Sequence, residues 1–530
     1  MVGWLIFFTG LIISNSQTAS RKGFLELMFN REHKMRDEFL RENSELNGLL
    51  HGISQEFPSD MEYLFATFPS LDNNIWVSYP QIEELLISRL NGTESNASPY
   101  SKTSLSVSWR RKPMGVMLEL VFQFVSSQFR VRSTSSNKHR ELESPIVGFT
   151  YSDFDPIGPK FFGKSRYWGE LPGWFADSRK ITWVGMGLKP AYDNKFTPET
   201  KFGMPNLKAA RAYLRSLSAR LKLWRRLKTE LAQLELFGTM RSEYFRALFG
   251  APALQAEMLA REFQDLFEKF KPKAVLIPHE NQLWERMLSL ECRRRGITLA
   301  GAIHTTPKFW DLRFFDFGEF SNLQPDFFVD NGKLSRDLLG LAKIDDSKLL
   351  RGSALRFTHL GKSQKYSSPS GSPSLRRKTL VISGTNKNSA RELISTILAL
   401  QSLSDAIVSF RPHPSMESWF GRNFSAQKID TRGVERLLDD YELFITESMS
   451  SMTLELAASG ARVCVYLPQS SLNFSPLASL PNFTSYFHND ESLSKLLEEP
   501  VTGFEVSDLL EVVSSRQSWG CIIERLIDHE

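Results

Sequence analysis

The sequence predicts an α/β fold in which two Rossmann-like halves face a cleft. Short apolar strands alternate with helical stretches after Pro145, which is typical of a parallel sheet covered by helices. The alternation stops at a linker rich in Ser, Pro and Gly, residues 363–378, and then starts again. No motif marks residues 1–140, so the sequence predicts an N-terminal α/β region there without a role.

The first half is predicted to span residues 145–362, and the second half residues 376–505. The predicted strands of the first half are 146–150, 181–184, 273–278, 298–303 and 326–329, with helices at 206–236, 253–270 and 282–295. The predicted strands of the second half are 379–383, 406–410, 443–446 and 463–467, with a helix at 389–401. A last helix, within residues 506–530, is expected to pack back across the cleft.

Composition excludes several other classes of protein. The chain has 530 residues with a net charge of +5, which is too mild to predict nucleic-acid binding. Three distant cysteines predict neither a disulfide framework nor a metal site, and a reducing, cytoplasmic location is expected. The apolar run Trp4–Ile13 is too short to span a membrane, so we expect a buried strand there, with a signal peptide as the alternative.

The segment Arg411-Pro412-His413-Pro414 follows a strand of the second half. Because the prolines end the strand, His413 is expected at its carboxyl edge, where ligands bind in such sheets. Arg411 and His413 could pair with phosphate oxygens there. The alternative is a turn in which His413 bonds only to the backbone.

A hydroxyl-rich turn follows the next strand of the second half. Ser450 and Ser451 precede a helix that Gly460 ends, and backbone N–H groups with Ser hydroxyls make a phosphate site. Serine is also favoured as a helix cap without any ligand. Glu455, one turn into the helix, could contact a ribose hydroxyl or complete a capping box.

Together these two motifs resemble the C-terminal half of GT-B glycosyltransferases, especially sialyl-, polysialyl- and Kdo-type transferases and their CDP-glycerol-using relatives. The resemblance implies that His413, Ser450 and Ser451 hold the phosphate of a nucleotide-sugar donor, with a CMP-sugar favoured. Arg411, Glu455, Ser383 and Gly384 are assigned to the same nucleotide site. No cofactor is implied beyond the nucleotide-sugar substrate.

The first half adds to this likeness. Segments 164–172, 181–183, 279–285 and 301–306 resemble surface carbohydrate (O-antigen-type) biosynthesis proteins, and 352–356 resembles the segment that joins two GT-B domains. The implied acceptor is a glycan or a lipid-linked sugar. Tyr167 and Trp168 are candidates to stack on it, or else core residues.

Two residues at predicted strand ends are candidates for catalysis. A carboxylate at Glu280 could act as general base on an acceptor hydroxyl, and His304 ends the neighbouring strand. Asn281 and Trp284 are candidate acceptor contacts beside them. The alternatives are that Glu280 and Asn281 cap the following helix and that His304 is a core residue.

Two further features are a possible metal motif and a basic helical segment. The triplet Asp153-Phe154-Asp155 could hold a metal, but an isolated match is weak, so no metal is predicted. Residues 207–228 carry eight Lys or Arg and no acid, and apolar residues that include Leu214, Leu217, Leu221 and Trp224 recur at helical spacing, which predicts an amphipathic helix with a basic face. Such a helix could lie on an anionic membrane surface at the inner face of the cytoplasmic membrane, or present a solvated face.

The sequence therefore favours an inverting, metal-independent glycosyltransferase in surface polysaccharide assembly. One alternative is an epimerase of the same architecture acting on UDP-N-acetylglucosamine. The other is a protein without catalytic activity that keeps the fold and binds carbohydrate.

Overall fold

The computed structural model describes the N-terminal helix region, the two sheets and most of the elements around them. The described residues are 21–57, 61, 64, 86–89, 145–151, 165, 167–175, 180–186, 199–200, 207–308, 310, 314, 323–360, 378–384, 387–402, 407–424, 427–448, 450–468, 472–480, 483, 485–498, 506–513 and 516–528. The run Trp4–Ile13 and the triplet Asp153-Phe154-Asp155 lie outside them.

Two parallel sheets organise the chain, which confirms the predicted fold class. The first contains β1 (Ile146–Tyr151), β2 (Ile181–Met186), β3 (Glu199–Thr200), β4 (Ala274–Pro278), β5 (Thr298–Ala302), β6 (Phe327–Val329) and β7 (Leu349–Leu350). The second contains β8 (Thr379–Ile382), β9 (Val408–Arg411), β10 (Leu443–Glu447), β11 (Val463–Tyr466) and β12 (Tyr486–Phe487).

Helices cover these sheets. They are α1 (Arg21–Ser54), α2 (Leu171–Trp174), α3 (Leu207–Glu230), α4 (Glu235–Phe249), α5 (Ala251–Phe270), α6 (Leu283–Arg294), α7 (Lys333–Leu341), α8 (Lys387–Ser402), α9 (Glu417–Asn423), α10 (Val434–Asp440), α11 (Met452–Ala458), α12 (Asp490–Glu498), α13 (Val506–Leu509) and α14 (Arg516–Asp528). The helix predicted at 206–236 therefore ends at Glu230.

Each sheet has one point at which its strand order reverses. The first sheet runs β3-β2-β1-β4-β5-β6-β7 and reverses between β1 and β4. The second runs β12-β11-β10-β8-β9 and reverses between β8 and β10. In open parallel sheets, ligands bind beyond the carboxyl ends of the strands at these switch points. Glu280 follows β4, and Glu447 ends β10, so each lies at a switch point.

Both faces of both sheets are buried, as the nearly continuous apolar strands require. In β4, Val275 and Ile277 pack into one core, whereas Ala274 and Leu276 pack into another on the opposite face. Residues of α7 and of the segment Ala354–Leu360 share a core with the second sheet. The two halves of the chain are thus packed together.

The C-terminal segment contains two helices where the sequence predicts one. The break between α13 and α14 has a tertiary cause, because Glu511 hydrogen bonds to first-half loops. Its N–H donates to Asn331 at 3.0 Å, and its carbonyl accepts from Ala354 at 2.7 Å. Helix α14 then packs on the first sheet, where Trp519 Nε1 donates to Ser353 Oγ at 2.9 Å.

Candidate functional site

The first switch point is shaped by a capping box at the start of α6. Gln282 is the N-cap, and its side chain accepts the backbone N–H of Glu285. The Glu285 side chain in turn accepts the backbone N–H of Gln282. The buried Glu285 carboxylate also accepts the N–H of Glu280 at 2.9 Å and lies 2.9 Å from His279 Nδ1. Gln282 and Glu285 therefore perform the capping that the sequence offered as an alternative role for Glu280 and Asn281.

The Glu280 carboxylate therefore contacts His304, in the loop after the neighbouring strand. Its Oε1 lies 3.0 Å from Nε2 of His304, while Oε2 accepts Gln282 Nε2 at 2.5 Å. The strands that precede these two residues are paired in register, Pro278 opposite Ala302. The Glu280 side chain is 25% exposed, whereas the His304 side chain is buried. A carboxylate–imidazole pair of this kind can accept and pass on a proton.

A pocket opens beside this pair. The Tyr167 ring stands edge-on to the His304 ring, with centroids 4.8 Å apart. Among the described residues, His304 Nδ1 has no hydrogen-bond partner. The pocket is lined by Tyr167, Trp168, Pro278, Ala302, Ile303, His304, Val329, Asp330, Ser353, Ala354, Leu355, Arg356 and Trp519. Burial raises the pKa of Asp330 there, despite its bond to Arg336.

The other acceptor candidates are held in the core. Trp168 is 1% exposed, and its Nε1 donates to the Phe149 carbonyl at 2.8 Å. Asn281 has a positive φ of 57° and accepts Arg286 Nε at 2.7 Å. Trp284 packs on Phe149 at a centroid distance of 6.0 Å. Of the four acceptor candidates, Tyr167 is the one in ring contact with His304.

At the second switch point a buried carboxylate bridges two strands. Glu447, at the end of β10, accepts the N–H of Gly384 at 2.6 Å from the loop after β8. Burial raises the pKa of Glu447 to about 7, partly offset by hydrogen bonds from Gly384 and Ser389 and by the charge of Lys308. A Cβ added at Gly384 would lie 2.9 Å from this carboxylate, so the close approach requires glycine.

Ser383 lies beside this carboxylate bridge. Its side chain is 5% exposed, and its hydroxyl has no hydrogen-bond partner among the described residues. Ser389, at the start of α8, hydrogen bonds to Glu447 and so opposes the rise in its pKa. The two candidates Ser383 and Gly384 thus lie together after β8 at this switch point, where the Gly384 N–H donates to Glu447.

The Arg-Pro-His-Pro segment lies at the end of the neighbouring strand β9. The Arg411 guanidinium is half-buried, and its Nη1 donates to the Arg432 carbonyl. Burial lowers the pKa of Arg411, an effect opposed by Glu455, Asp430 and Glu417. His413 is exposed. The segment therefore presents one cation toward Glu455 and an imidazole at the surface.

Glu455 contacts the first half of the chain. Its Oε1 lies 2.9 Å from His359 Nε2, and its side chain is 13% exposed. This contact differs from the capping box that the sequence offered as one alternative. Ser451 is the N-cap of α11, yet its side chain makes no capping bond, and Ser450 is buried. Ser451 remains exposed to solvent.

One loop of the first half connects the two switch points. The loop after β5 includes His304, which contacts Glu280, and Lys308, which interacts electrostatically with Glu447. The sequence motifs do not include Lys308, His359, Ser389 or Glu447 as site residues. Glu447 had a signal, as an acid at the end of a strand next to the predicted phosphate turn. The other three had none.

Comparison with known proteins yields structural similarity alone. No known protein family matches the sequence, and no curated protein matches it. Among solved structures, UDP-N-acetylglucosamine 2-epimerase from Rickettsia bellii is 12% identical, with 73% of this chain and 98% of that one covered and a TM-score of 0.42.

Two other solved structures show a comparable likeness. A putative UDP-N-acetylglucosamine 2-epimerase from Listeria monocytogenes is 9% identical, with 73% of this chain and 97% of that one covered and a TM-score of 0.41. MurG from Acinetobacter baumannii is 10% identical, with 72% of this chain and 95% of that one covered and a TM-score of 0.29. Because the identities and scores are this low, the fold assignment stands on the sheet topology.

Proposed function

We propose that this protein is a glycosyltransferase that takes a sugar from a nucleotide-activated donor and transfers it to a glycan or lipid-linked acceptor. The observation that carries the proposal is the loop after β5. It links a carboxylate–imidazole pair at one switch point to the buried carboxylate at the other. An acceptor on the first sheet and a donor on the second would then meet across this loop.

The second sheet would bind the nucleotide. Arg411, His413, Ser450 and Ser451 would contact phosphate oxygens, and Glu455 a ribose hydroxyl, with Ser383 and Gly384 at the base of the site. The cations Arg411 and Lys308 would balance phosphate charge in the role that a metal ion has in other transferases. The resemblance of these motifs to those of CMP-sugar enzymes favours CMP as the nucleotide.

The first sheet would activate the acceptor. Glu280, supported by His304, would take the proton from an acceptor hydroxyl, and the resulting oxygen would attack the anomeric carbon. The bond from that carbon to the phosphate oxygen breaks, and its electron pair leaves with the nucleotide. Attack from the opposite face inverts the anomeric configuration, and the proton passes from Glu280 to solvent. Tyr167, beside His304, would contact the acceptor.

Nucleotide binding is the direct test. In isothermal titration calorimetry we expect the wild-type protein to bind CMP, CDP or UDP, and His413→Ala to weaken the best ligand by at least about tenfold through loss of a charge-assisted hydrogen bond. His488→Ala is the matched control, since the His488 imidazole forms a hydrogen bond with the Leu467 carbonyl and is not assigned to the nucleotide site. If none of the nucleotides binds, or if both variants behave like wild type, the proposal fails.

An epimerase that acts on a UDP-linked sugar is the second candidate. The raised pKa of Glu447 favours it, because inversion at a carbon next to the anomeric centre needs a group that gives a proton as well as a base that removes one. Incubation with UDP-N-acetylglucosamine in D₂O separates the two functions. An epimerase incorporates deuterium at carbon 2, whereas a transferase leaves that hydrogen in place.

A further inference from the structure

Helix α3 is docked on its own domain through one stripe of side chains. The buried members of the stripe are Ala209, Tyr213, Arg220, Leu223 and Leu227. Arg220 is 2% exposed, and its Nη2 lies 2.9 Å from Glu257 Oε1, so its charge is neutralised inside the protein. This buried stripe differs from the apolar set that the sequence suggested, which included Leu214 and Leu221.

The opposite side of α3 is cationic. Within the part of the chain that the structure describes, five exposed cations on this helix have no acidic partner: Arg211, Arg215, Lys222, Arg225 and Lys228. Arg226 differs from them, because it pairs with Glu56 at 3.1 Å and with Glu230 at 2.7 Å. The unpaired charges all have one sign and lie along one helix, so their fields add.

Two leucines border this cationic side. Leu214 is 62% exposed and Leu221 is 43% exposed. A spacing of seven residues places them on one line along the helix, next to the half-buried Leu217 and Trp224. Single exposed leucines are common, but two in line beside a row of unpaired cations form a surface with both apolar and electrostatic character.

We propose that this surface, formed by Leu214 and Leu221 with Arg211, Lys222 and Arg225, binds an anionic membrane surface. A lipid interface receives leucine side chains among its acyl chains and cations among its headgroups. Nucleic acid would satisfy the cations but would leave the leucines in water. Within the described residues, no helix is long and apolar enough to cross a membrane.

Helix α3 begins at Leu207, a few residues after β3 ends at Thr200. In the first sheet β3 lies three positions from β4, the strand that Glu280 follows. This surface and Glu280 therefore belong to the same half of the chain. Membrane binding itself does not depend on the proposed function.

Co-sedimentation with vesicles, measured without nucleotide or sugar, tests this inference. We expect binding to phosphatidylcholine vesicles only when phosphatidylglycerol is included, with weaker binding at high salt. Arg211→Glu/Arg225→Glu should weaken binding at least about 25-fold, from about fivefold per cation. Leu214→Ser/Leu221→Ser should weaken it about tenfold, because less apolar surface is buried.

Matched variants elsewhere control for charge and hydrophobicity. Lys428→Glu/Arg436→Glu makes the same charge change at two exposed positions of the second half, and Leu341→Ser/Val513→Ser removes two comparably exposed apolar side chains. Both controls should bind as wild type does. Unchanged binding in either α3 variant, or binding to double-stranded DNA in place of vesicles, overturns the inference. A failure here leaves the nucleotide-binding test unaffected.

Discussion

The Nε2 of His304 lies 3.0 Å from the Oε1 of Glu280, although the two residues follow different strands of the first sheet. Register explains the contact, since β4 and β5 pair up to Pro278 and Ala302 and the next residues leave the sheet at the same edge. The capping of α6 by Gln282 and Glu285 leaves the Glu280 carboxylate available for this contact.

Removal of the Glu280 charge should abolish most turnover. We expect Glu280→Gln to lower kcat by about 10²- to 10⁴-fold, the usual contribution of a general base, with little effect on the dissociation constant of the nucleotide. Steady-state kinetics and calorimetry on the same preparation measure the two quantities.

Glu285→Gln is the control for that experiment. Its carboxylate is buried and accepts backbone N–H groups, so the change should lower the melting temperature more than Glu280→Gln does. If Glu280→Gln retains wild-type kcat, the assignment of Glu280 as the base is wrong.

The buried Glu447 should make stability fall as pH rises. Its pKa in the folded protein is raised to about 7 from 4.5, so the folded state binds the proton more tightly than the unfolded state. The resulting stabilisation is fully present below pH 4.5 and is lost as pH rises through 7. The difference is on the order of 3 kcal/mol, from 1.36 kcal/mol per unit.

Urea denaturation between pH 5 and pH 8 measures this dependence. Glu447→Gln keeps an acceptor for the Gly384 N–H but cannot ionise, so its stability should change less over that range and exceed wild type at about pH 8. Glu392→Gln removes a negative charge that helps to raise the Glu447 pKa, so it should reduce the fall in stability with pH without abolishing it. Identical pH profiles for wild type and Glu447→Gln would show that Glu447 is already ionised at pH 5.

The sequence predicted those features that follow from periodicity. Alternating strands and helices indicated two parallel sheets, and the strand ends predicted Glu280, His304 and His413 at their carboxyl edges. Parallel pairing brings neighbouring strand ends together, so the closeness of Glu280 and His304 follows from the same pattern.

Other site features depend on contacts distant in sequence. Glu447 gains its raised pKa from burial, opposed by a bond to Gly384, 63 residues away, and this burial is absent from the local sequence. His359 follows a short 3₁₀ turn and reaches Glu455 only because the two halves pack together. The buried stripe of α3 could not be predicted from its apolar residues, because one of the eight basic residues of this segment, Arg220, is part of it.

Glu455 and His359 should differ in their effects on nucleotide binding. The pair is partly exposed, so its own contribution is at most about 1 kcal/mol. Glu455→Gln removes a charged acceptor for a ribose hydroxyl and should weaken nucleotide binding about tenfold. His359→Gln should weaken it less than about fivefold, as measured by calorimetry. Equal losses in both variants would assign Glu455 a structural role in place of a ribose contact.

Gly352 should not tolerate even a methyl group. A Cβ at this position would lie 2.4 Å from Val329 Cγ1 and 2.5 Å from the backbone carbonyl oxygen of Asp330, next to the pocket beside His304. Because a backbone oxygen cannot move aside freely, we expect Gly352→Ala to destabilise the protein by about 1–3 kcal/mol in urea denaturation.

Gly340→Ala is the matched control for Gly352→Ala. Gly340 lies in α7, and nothing lies within 4 Å of a Cβ built there. Alanine should therefore stabilise the protein by up to about 1 kcal/mol, through its higher helix propensity. The chain after β7 packs against β6 and forms one wall of the pocket. If the two substitutions change the free energy of unfolding in opposite directions, this packing is as close as the structure shows. Equal and small effects would mean that this wall is loose enough to rearrange.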